Sequence, residues 1–478
     1  MGIKVAKFGG SSLASGEQIA KAVAIITADP DRRYVVASAP GKRSADDIKV
    51  TDLLYQLWEN RNGSYQPILA AIKQRFADIE AELGVEIGLD AHLAHIEDHL
   101  TSGVGPEYYA SRGEYLNSML LAAHLGWKFV DSANVVRFTA AGPLDADQTE
   151  ARLVEALAKY DRAVIPGFYG ATEDGVVKTF SRGGSDVTGA LVARAARAEV
   201  YENWTDVSGI LVADPRIVKS PPSIERVTYV ALRELTYLGA TVLHEDAITP
   251  VRERGIPINI RNTNEPTHSG TWIEATPPVE KDGPAILGVA GKPGYTAVTI
   301  HKAQWAGTFG IATVLLRLFA DARVAVDLAL TGVDTWTIVV PSATLAPALD
   351  SILASIRELF APDTLDVRAD LTLMGIVESG SAPRGWVTAR LADALVTADI
   401  PTHAIAFTGD LHVLAIDTSQ YQKAVRAIYS ALAETRVVVM KGKPPTPSAT
   451  LPFGATKRRA ESTASRRSQR GQAPLSHP

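Results

Sequence analysis

Along the first half of the chain the apolar residues come in short, nearly unbroken runs. IKVAKF, RYVVASA, WKFVDS, DRAVIPGFYG, AEVYENWTDV and IPINIRN each read as a strand. Several lack polar alternation, which suits strands covered on both faces. Between them EQIAKAVAII, EYLNSMLLAAHL and SDVTGALVARAARA read as helices. Strands alternating with helices predict an α/β fold, an open and mainly parallel sheet sandwiched by helices.

From about Asn264 to Pro284 the pattern lapses. Pro266, Pro277, Pro278 and Pro284 fall there among few apolar residues, and the stretch is expected to be a linker. A different rhythm follows it. YTAVTIHK reads as a strand, TFGIATVLLRLFADA as a helix, VAVDLALTG and DTWTIVVP as strands, and LAPALDSILASIRELF as a helix. The same order returns in LTLMGIVES, GWVTARLADALVTA, THAIAFTG, LHVLAIDT and SQYQKAVRAIYSALA. A βαββα pattern repeated at a spacing of about 75 residues predicts two small α+β modules. Residues 441–478 are rich in Pro, Ser, Arg and Lys without apolar periodicity and are expected to form a disordered basic tail.

Composition narrows the function classes. At 478 residues, two or three domains are expected, and 46% hydrophobic residues suffice for buried cores. A net charge of −5 with both signs mixed gives no reason to expect a nucleic-acid or membrane partner. The absence of cysteine excludes disulfides, thiolate metal sites and a cysteine nucleophile. No run approaches a membrane span and the first residues hold no signal-like apolar stretch, so a soluble cytoplasmic protein is expected.

Several polar stretches lie where the strands end. In KFGGSS, Gly9 and Gly10 would let the backbone approach a phosphate, helix-terminal amides would face it, and Lys7 could reach a transferring phosphoryl group. Taken alone, a plain βα turn explains this stretch as well. FSRGGSD places Arg182, Gly183, Gly184, Ser185 and Asp186 between a strand and a long helix. Ser185 or Asp186 could cap that helix. Capping does not explain the arginine, whose planar fork matches a carboxylate. WTDVSGILVADPR contributes Thr205, Asp206 and Arg216 in loops past another strand, where open α/β sheets bind ligands. Glu114, in ASRGEYLNSMLL, is read as lying at a helix start, where the macrodipole favours an acid.

The combination is more specific than its parts. KFGGSS, SAPGK, RGE, SRGGSD, WTDVSGI with DPR, and GATVLH occur in the order found in aspartate kinases, and SAPGKRSADDIKVTDLL resembles their substrate loop. The resemblance runs from about Lys4 to Asn262 and continues into the two modules, which resemble paired ACT regulatory domains. It implies an amino acid kinase catalytic domain over 1–283, ACT modules over 284–365 and 366–440, and the tail beyond. It also implies transfer of the γ-phosphoryl of ATP to the side-chain carboxylate of L-aspartate with Mg²⁺, as the first step of lysine, threonine and methionine synthesis. An amino-acid effector at the ACT modules and a homodimer or larger oligomer are implied as well.

By this resemblance Lys7 and Asp186 are the catalytic pair. Lys7, Gly9, Gly10, Ser11, Ser185, Thr205, Asp206 and Arg216 hold the nucleotide; Ser38, Thr51, Glu114 and Arg182 hold the substrate; no residue is assigned to a metal. Some positions depart from the family pattern. Thr241 stands for a nucleotide-contacting lysine, Glu245 for a proline, Leu211 for a tyrosine, and FTGDLHVL for the effector-binding run of the second module. A related kinase with another carboxylate or carbamate acceptor, and a catalytically weak binding protein, stay open as alternatives.

Overall fold

A computed structural model describes residues 2–181, 183–240, 243, 245–276, 283–306, 309–383 and 385–433. Arg182, Thr241 and the tail expected at 441–478 therefore lie outside the described residues. The first part of the chain contains β1 (Lys4–Phe8), α1 (Gly16–Thr27), β2 (Arg32–Ala37), α2 (Val50–Glu59), α3 (Gln66–Leu83), α4 (Leu89–Asp98) and α5 (Pro106–Leu125). It continues with β3 (Lys128–Phe129), α6 (Ala146–Leu157), β4 (Ala163–Pro166), a hairpin of β5 (Tyr169–Ala171) and β6 (Val177–Thr179), α7 (Gly184–Ala195) and β7 (Val200–Thr205). Last come β8 (Arg226–Thr228), α8 (Tyr229–Tyr237), β9 (Ile258–Asn262) and β10 (Thr271–Glu274).

Eight of these strands form one sheet in the order β3-β4-β2-β1-β7-β9-β10-β8. Every pairing is parallel except β9 with β10. Side chains alternate across a strand, so each central strand feeds two cores. Val5, Tyr34, Val36 and Tyr201 enter the core shared with α7 and α8. Ala6, Phe8, Val35, Ala37 and Trp204 enter the core under α1 to α5. Burying each such aliphatic or aromatic side chain contributes roughly 1.5–3 kcal/mol, which is why these strands carry no polar alternation. The stretch expected to be a linker instead contains β10, whose Thr271–Ile273 pairs with Ile260–Ile258. Three or four residues are too short to stand out as periodicity between prolines.

The second part contains β11 (Ile286–His301), α9 (Ile311–Asp321), β12 (Leu328–Thr331), β13 (Thr335–Pro341), α10 (Leu349–Phe360) and β14 (Thr364–Glu378). It ends with α11 (Trp386–Thr397), β15 (Thr402–Thr408), β16 (Leu411–Asp417) and α12 (Tyr421–Ile428). One antiparallel sheet runs β12-β13-β11-β14-β16-β15. The long strands β11 and β14 serve both βαββα repeats. Ala297–His301 pairs with the first half of β14, and Ile286–Tyr295 pairs with its second half, with register shifts around Pro293–Ala297 where the strand bends. Among the described residues no helix is long and apolar enough to cross a membrane.

Candidate active site

Sheet register builds the centre. Lys7 lies opposite Asn203 on the adjacent parallel strands β1 and β7. Both share the parity of Val5 and Tyr201, so both point to the α7 side. There the first turn of α7, opened by Gly183 at φ +56°, presents Asp186. The Lys7 ammonium sits 2.6 Å from Asp186 Oδ1, and both side chains are largely buried. Asn203 Nδ2 donates to the same Oδ1 at 2.9 Å, Lys7 donates to Asn203 Oδ1 at 3.4 Å, and the Tyr201 hydroxyl donates to the Asp186 carbonyl at 3.0 Å.

The glycine turn follows β1 directly. Gly9 N–H donates to the Trp204 carbonyl, and Ser11–Leu13 forms a single 3₁₀ turn. A Cβ on Gly10 would stand 2.9 Å from the Ala39 carbonyl, and one on Gly41 would stand 2.6 Å from Gly10 C. The Gly41 N–H donates to the Gly10 carbonyl at 2.8 Å. The two strand-end loops are thus pressed together in a way only glycine permits. Arg75 of α3, buried at 4% exposure, ties them down. It donates to the carbonyls of Ala14 (3.0 Å) and Gly41 (2.5 Å) and pairs with Asp47 at 2.5 Å. Hydrogen bonds from Arg43 and Arg75 hold the Asp47 carboxyl well below the usual range. Truncating one partner of a buried pair costs about 3–5 kcal/mol. Arg75→Met is expected to lower the melting temperature by several degrees, which calorimetry checks. A cleft of about 760 Å³ beside the turn is lined by Ser11, Lys42, Arg43, Asp206 and Asn264 among others.

Glu114 departs from the expected helix start: it lies midway along α5, which Pro106 begins and Gly126 (φ +65°) ends. Its carboxyl is buried, and burial pushes its pKa up to about 8, against the opposing pull of the Ala39 backbone N–H and the Arg112 charge. Glu114 Oε2 has no hydrogen-bond partner. One turn on, Asn117 Nδ2 donates to the Ser38 carbonyl at 2.7 Å while its own Oδ1 is unpartnered. Gly113, whose Cβ would meet Ala39 Cβ at 2.8 Å, lets α5 lie against this loop. Val50 and Leu54, flanking half-buried Thr51 on α2, approach the same glycine.

The other expected residues are placed less centrally. Ser185 packs on the turn after β4, where a Cβ on Gly167 would fall 2.5 Å from its hydroxyl. Thr205 Oγ1 donates to its neighbour Asp206 at 3.2 Å. Arg216 is 88% exposed and engages Asp214 at 2.7 Å. The following Ile217 carbonyl accepts from Arg426 of α12 at 3.1 Å, so this loop rests on the C-terminal part. Asn203, Arg75 and Asn117 were not anticipated. For Asn203 one signal was present, a polar residue inside an otherwise buried strand.

Residues 2–262 match the amino acid kinase family. Aspartokinase 3 of Bacillus subtilis is 33% identical over 452 residues, covering 89% of this chain and 98% of its own. The crystal structure of Clostridium acetobutylicum aspartate kinase is 38% identical and superposes with a TM-score of 0.83 over 90% of this chain and all of its own. Escherichia coli aspartokinase III, in a complex with aspartate and ADP, shares the fold at a TM-score of 0.68 and 23% identity, over 90% and 99% of the two chains. The chain belongs to the amino acid kinase family. Within it, the chain is a member of the aspartokinases.

Proposed function

We propose that the chain transfers the γ-phosphoryl group of ATP to the side-chain carboxylate of L-aspartate, forming 4-phospho-L-aspartate for amino-acid biosynthesis. The observation that carries this reading is the Lys7 ammonium fixed 2.6 Å from Asp186 at the strand ends, beside the glycine turn. An aspartate side chain, with a pKa near 3.9, is already ionised at neutral pH, so the nucleophile needs no base. The task is to bring two anions into line and neutralise the charge of the transferred group. Lys7 neutralises that charge, Asp186 holds Lys7, and the Gly9, Gly10 and Ser11 turn with Ser185, Thr205 and Asp206 holds the nucleotide. Glu114 takes the substrate ammonium; Ser38, Thr51 and Arg182 complete its site. Arg216 is assigned to the nucleotide by its motif alone.

Mg²⁺ fits this donor set as a cation carried on the phosphates. The Asp186 carboxylate is engaged by Lys7 and Asn203, and among the described residues no group of three or more His, Cys, Asp or Glu stands ready to hold a metal by itself. When bound, the ion shields phosphate charge. The catalytic domain is assigned to 1–283, and the two βαββα repeats are assigned as ACT modules for an amino-acid effector, with strand β11 contributing to both. A cytoplasmic homodimer or larger assembly is part of the same reading.

Hydroxylamine converts an acyl phosphate to a hydroxamate. With Mg-ATP, hydroxamate is expected from L-aspartate and not from L-glutamate. Bound ATP without hydroxamate from either acid rejects the proposed reaction.

A further inference from the structure

We propose that Asn203 is a positioning residue that aims the Lys7 ammonium at the transferred phosphoryl group. The inference rests on the reading of Lys7 and Asp186 as the catalytic pair. Asn203 is 3% exposed on β7, whose residues are buried up to Trp204. A polar side chain so placed is destabilising unless its hydrogen bonds are met. Here they are met by the two charged groups of the site, on opposite atoms of one rigid amide. Nδ2 donates to Asp186 Oδ1 at 2.9 Å, and Oδ1 accepts from Lys7 Nζ at 3.4 Å. With the 2.6 Å contact of Lys7 and Asp186 they close a three-membered ring.

The ring has a geometric consequence. A lysine ammonium carries three donors. Asp186 takes one and Asn203 takes a second, so the tetrahedral nitrogen has a single direction left for the third. Asp186 alone would leave the ammonium free to turn about that contact, because a carboxylate oxygen accepts over a broad range of angles. Asn203 also holds the carboxylate, since both contacts fall on Oδ1. An amide does this without adding charge, so it leaves undiminished the positive potential that the phosphoryl group meets. Strand pairing sets the arrangement: Lys7 and Asn203 are direct partners between β1 and β7, and the sheet rather than a loop fixes their separation.

Two near-isosteric substitutions test this. Asn203→Leu keeps the branched skeleton and removes both hydrogen bonds. Its kcat is expected to fall about 10- to 100-fold, with KM for aspartate and for ATP within about twofold of wild type, as for loss of a supporting contact. Asn203→Asp introduces a second carboxylate against Asp186. When protonated, the new acid reproduces the donor and the acceptor of the amide, so its kcat should recover as the pH is lowered, while wild type shows no such rise. Steady-state ADP release over pH, with melting curves for each variant, reads all of these. Asn203→Leu with wild-type kcat, while Lys7→Ala is inactive, overturns the positioning role and leaves the catalytic pair intact. Turnover retained in both Asn203→Leu and Lys7→Ala overturns the catalytic pair itself. Loss of kcat that tracks a lowered melting temperature, with Asn203→Asp flat over pH, also overturns the proposal in favour of a purely structural residue.

Discussion

Replacing Lys7 with alanine is expected to abolish turnover while the chain stays folded. The argument begins with charge. In the transition state the transferred phosphoryl group spreads negative charge over its oxygens while a second anion, the substrate carboxylate, approaches in line. In the proposed reaction Lys7 is the cation that meets this charge, and it is 7% exposed, so its field is little screened by water. Cations that meet a phosphoryl transition state are worth about 10³-fold or more in kcat. The fold should tolerate the change better than the loss of most buried charges. Asp186 keeps the Asn203 amide as a donor, and the Asp186 backbone N–H stays bonded to the Gly183 carbonyl. Lys7→Met keeps most of the aliphatic stem and serves as the second variant. Both should melt within a few degrees of wild type and give no hydroxamate from aspartate. Near-normal hydroxamate formation in either variant would falsify the assignment of Lys7.

What could be read from the chain follows from where the information is held. The glycine turn after β1 and the first turn of α7 are local: a few adjacent residues dictate a close backbone approach and a helix start, and both were legible. The ring of Lys7, Asp186 and Asn203 is not local. It depends on the pairing of residues nearly two hundred positions apart, and side-chain parity in one strand does not reveal its register with another. Glu114 illustrates a boundary error. Its helix is opened by Gly105 and Pro106, eight residues before Glu114, without a Ser, Thr, Asp or Asn at the cap to mark the start. β11 was legible only in its second half, because GKPG reads as a turn yet lies inside a strand that bends there. Arg216 is assigned to the nucleotide by motif alone, and its pairing with Asp214 and the contact of its loop with α12 are tertiary details the motif does not carry.

Replacing Glu114 with glutamine is expected to raise KM for aspartate at least about 30-fold while changing kcat little at saturation, since losing one partner of a buried charged hydrogen bond costs roughly 2–5 kcal/mol. The carboxyl is buried against the Ser38–Ala39 loop and its Oε2 lacks a partner, an expensive arrangement unless something arrives to complete it. A substrate ammonium would do so. The proton adds a second signature. Burial raises the Glu114 pKa to about 8, so at neutral pH most of the free enzyme carries a neutral acid here. Binding the ammonium as an ion pair must expel that proton, so wild-type KM for aspartate should fall as the pH rises toward about 8 and level off above it. In Glu114→Gln this slope should vanish. Stability should move the opposite way. The folded state binds this proton more tightly than the unfolded chain, whose glutamate titrates near 4.5. Wild type is therefore fully stabilised below that pH and loses stability as the pH rises from 4.5 to about 8. The glutamine variant, which has nothing to ionise, should melt higher than wild type at pH 8 and close to it at pH 5. A glutamine variant with unchanged KM and an unchanged pH slope would remove Glu114 from the substrate site, whatever its effect on the melting curve.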